Sequence, residues 1–165
     1  MRRLVRRKRI RFRASPPLKT GLFYAFGETE GYSADSGHDF SASPVFEVEN
    51  DVLKPSYDAA HVALKGLWRL PTKEEFGLLA AGTTSSFADG GMTFSGAGQT
   101  MFLPAPGFMS ATSHIQPGTY GCYWTSGMYN EVQAYFLGFS TATVYPNDVT
   151  DTFYGQPIRP VFSIR

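Results

Sequence analysis

The sequence predicts an α+β domain with little helix, and three observations carry that prediction. Residues 70–76 have the chemistry of a helix start. Several short segments, 134–139 the clearest, alternate with the period of a strand. Between them the 17 glycines and 11 prolines punctuate the chain too often for long helices. At 165 residues the chain fits one domain, able to bury about 70% of the surface its unfolded form exposes.

In chain order, Leu22-Phe23-Tyr24-Ala25-Phe26 reads as a short buried strand ended by Gly27, and residues 28–56 as a long surface excursion rich in Gly, Ser, Asp and Pro. Residues 58–64 suit one or two helical turns stopped by Gly66. A helix over 72–81 follows. Thr72 is its N-cap, Glu75 completes a capping box, and Glu74 and Glu75 suit the positive end of the helix dipole. Phe76, Leu79 and Ala80 form the buried stripe, and Gly82 is expected as the C′ residue. From residue 83 the pattern is strand and loop, with strands expected at 100–103, 120–126, 134–139 and 158–164. In the third of these, alternation places Tyr135, Leu137 and Phe139 inward and Phe136 and Gly138 outward.

The net charge of +1 hides an asymmetry. Residues 1–13 hold eight of the fifteen cations and no acid, so the remainder is acidic. Such a run suits nucleic acid or an anionic surface, or else a solvated arm or a strand with cations on its exposed side. No groove-reading motif accompanies it, and an acidic body repels a phosphate backbone, so no nucleic-acid partner is expected. Residues 1–20 are taken as a basic arm or first strand, and 21–165 as the domain. No apolar run suits a signal peptide or a membrane span.

Chemistry is hard to find. Cys122 is the single cysteine, which excludes an intramolecular disulfide and a cysteine-based zinc site; beside Tyr123 and Trp124 it reads as a small packed hydrophobe. His38, His61 and His114 share no ligating spacing. Asp58 and His61 suit a structural pair at a loop-to-helix junction. Asp148 and Asp151 could offer oxygens to calcium, but two acids make a poor site. Nucleotide and hydrolase fingerprints are absent. No catalytic residue, metal or cofactor is expected; an enzyme working through Cys122 or His61 is the weakest alternative.

A resemblance adds to this reading. Residues 67–76, LWRLPTKEEF, resemble the WRLPT-x-x-E-[WF] helix entry of C-type-lectin-fold proteins, among them the sulfatase-modifying-factor type and the Fibrobacter major paralogous domain. Residues 102–108 (FLPAPGF), 121–126 (GCYWTS), 134–139 (AYFLGF) and 155–161 (GQPIRPV) are similar to that domain's FLPAAGY, GYYWSS, AYxLxF and closing GxSVRPV. Upstream, residues 23–30 (FYAFGETE) and 58–62 (DAAHV) resemble its YFAWGETE and DAAHV. The match runs in order from about residue 21 to 162. The lone cysteine departs from the paired thiols of formylglycine-generating relatives, so their copper chemistry is not implied. The EPN, QPD and WND calcium-lectin signatures are missing, Gln116-Pro117-Gly118 being a partial echo.

The arrangement also looks like the variable proteins of diversity-generating retroelements, in which adenine-directed randomisation alters the last part of the gene. The resemblance implies a C-type lectin fold of short mixed strands, one capped helix and long ordered loops. It implies a variable region at about 127–154, framed by Trp124 and residues 155–161. Randomised AAC codons never encode Lys, Glu, Gln, Met or Trp, and residues 136–153 contain none of these, whereas Met128, Glu131 and Gln133 fall outside that code. The expected ligand-binding residues are Tyr129, Phe136, Gly138, Ser140, Thr143, Tyr145, Asp148, Val149, Thr150, Asp151 and Phe153. The stretch after residue 139 is read as a loop. The implied function is display of a variable face, on a virion or bacterial surface, toward a protein or glycan on another surface, with homo-oligomers adding avidity. A non-diversified adhesion or glycan-binding domain of the same fold is the alternative.

Overall fold

The computed structural model describes residues 21–163, so the basic arm at 1–20 lies outside the described residues. Strands β1 (Leu22–Phe23), β2 (Tyr32–Ser33), β3 (Val48–Glu49) and β4 (Val52–Leu53) lead to helix α1 (Ala59–Leu64), β5 (Trp68–Arg69) and helix α2 (Lys73–Gly82). Then come β6 (Thr84–Ala88), β7 (Gly91–Gly96), β8 (Gln99–Pro104), β9 (Phe108–Ser110) and β10 (Ser113–Ile115). The chain ends with β11 (Gly121–Met128), β12 (Gln133–Phe139), β13 (Val144–Asp151) and β14 (Val161–Phe162). Strand dominates, and the architecture is α+β.

The central sheet has the order β13-β12-β11-β4-β3 and is antiparallel in every pairing. It is covered on both faces. On one, α2 and the β6-β7-β8 sheet pack Phe76, Leu79, Phe94 and Leu103 against Tyr123, Leu137 and Phe139. On the other, Phe26, Leu53, Ala60 and Leu70 pack against Cys122, Trp124, Ala134 and Phe136. This is why residues 121–126 are buried without alternation: a strand with a core on each side has no solvent face.

Trp124 joins the parts. It is 1% exposed, and its Nε1 donates to the carbonyl of Tyr24 at 2.7 Å. Its ring meets Phe26 and Phe136 edge-to-face, with centroids 5.5 and 6.4 Å away. Tyr24 and Gln156 exchange backbone hydrogen bonds of 2.9 Å each, so the first strand is tied to the closing segment.

The helix start at Thr72 forms as expected. Thr72 Oγ1 accepts from the Glu75 amide at 3.2 Å, and a Glu75 carboxylate oxygen accepts from the Thr72 amide at 2.9 Å. The same carboxylate takes a two-pronged pair from Arg69, at 2.6 and 2.7 Å, which fixes β5 to the helix. Asp58 caps α1 through the His61 amide at 3.0 Å and also accepts from the Leu70 amide at 2.9 Å. His61 is engaged separately, its Nδ1 lying 3.2 Å from the Trp68 carbonyl.

Several expectations fail for identifiable reasons. Gly82 is the last helical residue rather than a left-handed C′. The cap is Thr83 in extended backbone, whose hydroxyl donates to the Leu79 carbonyl at 2.6 Å. The excursion at 28–56 is no surface loop throughout: Phe40 and Leu53 turn into the core. The buried run at 22–26 contributes only a two-residue strand plus the bridge at Tyr24. Among the described residues, which leave out residue 164 of the expected strand, β14 covers Val161–Phe162 and pairs with β5. Residues 84–96, unassigned from the sequence, form the β6-β7 hairpin, turning at Asp89 and Gly90, both at positive φ.

Gly121 faces Phe139 across the β11-β12 pair, and a Cβ there would run into the buried Phe139 ring. Gly121→Ala is expected to cost about 3 kcal/mol, the upper end for overpacking, read as a lower urea midpoint with unchanged slope.

Candidate functional site

Strand β13 is an outer strand of the central sheet and carries five of the eleven anticipated binding residues. It is a strand where the sequence suggested a loop. The pairing with β12 is Asp151 to Gln133, Thr150 to Ala134, Val149 to Tyr135, Asp148 to Phe136, Tyr145 to Gly138 and Val144 to Phe139. Between the fourth and fifth pairs, Pro146 and Asn147 stand opposite Leu137 alone, so the strand bulges. The bulge hid the strand from a period-two reading.

Pairing sorts the residues by face. Tyr145, Asp148 and Thr150 share the face of Phe136 and Gly138. Val149 and Asp151 lie on the other, with Gln133 and Tyr135. Asp148 and Asp151 therefore point to opposite sides of the sheet and cannot share a calcium ion; Asp151 instead accepts from Gln133 Nε2 at 3.2 Å. Among the described residues no three His, Cys, Asp or Glu side chains gather in a way that could hold a metal.

Two anticipated residues are not on show. Phe136 is 5% exposed and belongs to the core around Trp124, and Gly138 is buried beneath Tyr120. A Cβ on Gly138 would sit 2.8 Å from the Tyr120 hydroxyl and 3.0 Å from the Phe136 ring. Conversely Tyr135, expected inward, is half-buried near the end of the sheet. Lys73 Nζ lies 4.3 Å from its ring centre, and Tyr129 meets it edge-on at 5.5 Å. The alternation is right for Leu137 and Phe139. It fails at Phe136 because both faces of β12 are covered.

The remaining candidates are accessible but scattered. Tyr129 is 56% and Tyr145 43% exposed. Ser140 and Thr143 form the β12-β13 turn, where Ser140 Oγ accepts from the Thr143 amide at 3.2 Å. Tyr129 lies in the turn at the opposite end of β12, about 20 Å away at ~3.3 Å per residue. Phe153 follows β13, half-buried, its ring 4.7 Å from Tyr154.

What the fold gathers is a concavity of about 380 Å³ beside β13. Phe136, Cys122 and Thr150 of the sheet line it from one side, and Phe108, Tyr120 and Tyr154 from the other, with Gln116 and Gln156 completing it. Phe108 stands nearly perpendicular to Tyr120 and to Tyr154, with centroids 6.2 and 5.7 Å away. Burial, and then the nearby Cys122, Asp148 and Tyr145, hold the Tyr120 phenol above its usual range. Tyr120, Phe108, Tyr154 and Gln156 were missed in the sequence. The available signal was parity: Tyr120 shares the face of Cys122 and Trp124, which pair with Gly138 and Phe136.

A larger hollow of about 500 Å³ lies between α2 and the β7-β8 hairpin and includes none of the anticipated residues. Cys122 is fully buried; its thiol donates to the Gly107 carbonyl at 3.3 Å, and burial pushes it far above the usual thiol range. His114 Nε2 lies 2.6 Å from the Pro106 carbonyl, and His38 stacks on Tyr32 at 3.7 Å. Among the described residues no helix is long and apolar enough to cross a membrane.

Comparison with family models, with curated proteins and with solved structures returned no match.

Two outcomes are expected. Phe136→Ala is expected to cost about 3–5 kcal/mol, while Tyr145→Ser and Asp148→Ser stay within about 0.5 kcal/mol of the parent, all by chemical denaturation. Cys122 is expected to resist iodoacetamide at pH 8 in the native chain and to react fully in denaturant, as followed by mass spectrometry.

Proposed function

We propose that the chain is a ligand-binding display protein on a C-type-lectin-type scaffold, whose outer hairpin surface is diversified by a retroelement to recognise changing targets. The observation that carries the reading is the contrast between neighbouring strands. The inner strand β12 is locked into core on both faces over residues 136–139, while β13 beside it exposes Tyr145 and Asp148 and sets Thr150 in the lining of a concavity. Side chains there can change without disturbing the core, which a variable recognition surface requires.

The segments expected to frame that surface support the same reading. Trp124 is buried, and Gly155, Gln156, Pro157, Pro160 and Val161 are buried with it, pinned through Gln156 to Tyr24. The variable set is thereby narrowed to Tyr129, Ser140, Thr143, Tyr145, Asp148, Val149, Thr150, Asp151 and Phe153, with Phe136 and Gly138 reassigned to the frame. Display on a virion or bacterial surface, toward a protein or glycan, is the setting such a face serves. One observation favours a non-diversified adhesion or glycan-binding domain instead: several walls of the concavity, Phe108 and Tyr120 among them, come from outside the variable region.

Sibling copies of the gene separate the two. Substitutions concentrated at the nine positions, with an adjacent reverse transcriptase gene and a near-copy of the 3′ end carrying adenines at those codons, are expected. Substitutions spread evenly along the chain would sink the retroelement reading.

A further inference from the structure

The concavity beside β13 has a chemistry of its own, and the inference drawn from it deepens the binding reading above, on which it rests. We propose that it receives an alkyl cation bearing N–H donors, the guanidinium or ammonium end of a basic side chain on the protein ligand.

Three independent features point to that class. The first is the set of rings. Tyr120 and Tyr154 each meet Phe108 nearly at right angles, making an aromatic corner, and the raised Tyr120 phenol stays neutral. Ring faces attract cations through their quadrupoles, most strongly where water is partly excluded.

The second is Asp148. It shares the face of Phe136, is exposed and lies close enough to Tyr120 to act on it electrostatically. Its Oδ1 accepts only from the Val149 amide, 2.9 Å away, and among the described residues it joins no ion pair. Among the described residues no Lys or Arg lines the concavity, so an anionic ligand would find no opposite charge there and Asp148 nearby.

The third is Gln156. It is 3% exposed, lines the concavity, and its Oε1 is buried with no hydrogen-bond partner. A buried carbonyl oxygen left unpaired is unfavourable, and an incoming N–H donor relieves it. A hydrocarbon side chain would leave that oxygen unpaired, and a neutral polar group would gain little from Asp148.

The test uses the full chain and small probes, so it does not depend on knowing the ligand. Backbone amide shifts are followed by NMR while n-butylguanidinium chloride, n-butylammonium chloride and the neutral isostere N-butylurea are titrated at constant ionic strength. Saturable shifts centred on Tyr120, Thr150 and Gln156 are expected for at least one cation. That cation should bind about fivefold more tightly than the urea, the ratio of a partly exposed cation–π contact. Whichever cation binds better distinguishes an arginine from a lysine on the ligand. Asp148→Asn, an exposed change that leaves the core alone, is expected to remove most of that preference, and Gln156→Leu to weaken both cations. Equal or tighter binding of N-butylurea overturns the proposal, as does the lack of any saturable shift at these residues. Either result leaves the sibling-gene test untouched. Conversely, evenly spread substitutions there would remove the retroelement while leaving a cation site standing.

Discussion

The hydrogen bond from Trp124 to the Tyr24 carbonyl is the constraint on which the rest depends. That carbonyl accepts twice, from the indole at 2.7 Å and from the Gln156 amide at 2.9 Å. One oxygen thus holds the first strand, the middle of the central sheet and the closing segment at a single point. The site of contact is buried, so the bonds form in low dielectric, where losing one partner strands the other. The Trp124 ring then sets where Phe26 and Phe136 can lie. Phe136 in turn forms part of the wall of the concavity. The proposed recognition surface beside the outer strand is therefore positioned from the core through Phe136.

Local chemistry was legible in the sequence wherever it was self-contained. The Thr72 capping box needs only residues three apart, and it forms as read. The short helix at Ala59–Leu64 is equally local, its cap supplied by Asp58. The buried packing of Cys122 followed from its neighbours. Questions needing a partner strand were not legible. Alternation in residues 134–139 located the strand but could not say that Phe136 faces a second core, because that core comes from Phe26, Leu53 and Leu70, far away in sequence. The bulge at Pro146 and Asn147 breaks the period in β13, so an eight-residue strand reads as loop.

The candidate site was half legible for the same reason. The accessible residues of β13 lie in one continuous stretch and can be picked out along the chain. The opposing wall is assembled from Phe108, Gln116, Tyr120 and Gln156, brought there by tertiary packing. Tyr154 is the exception, close in sequence to Phe153 yet turned toward Phe108. A binding surface assembled in this way divides labour. On the proposed reading, its fixed wall would set the kind of chemistry accepted, and its changeable strand would tune which partner brings it.

The bulge in β13 has a further consequence. Among the described residues no strand pairs with the outer side of β13, although the Val149 amide is taken by the Asp148 carboxylate. An open edge of eight residues invites pairing with another molecule, and a surface free to drift toward aromatic side chains raises that hazard. Pro146 removes a donor from the middle of the edge, and the extra residue beside it twists the strand out of flat register. Asp148 and Asp151 add charge close by. If the strand varies as proposed, the solubility of its variants is guarded by a residue that need never touch a ligand.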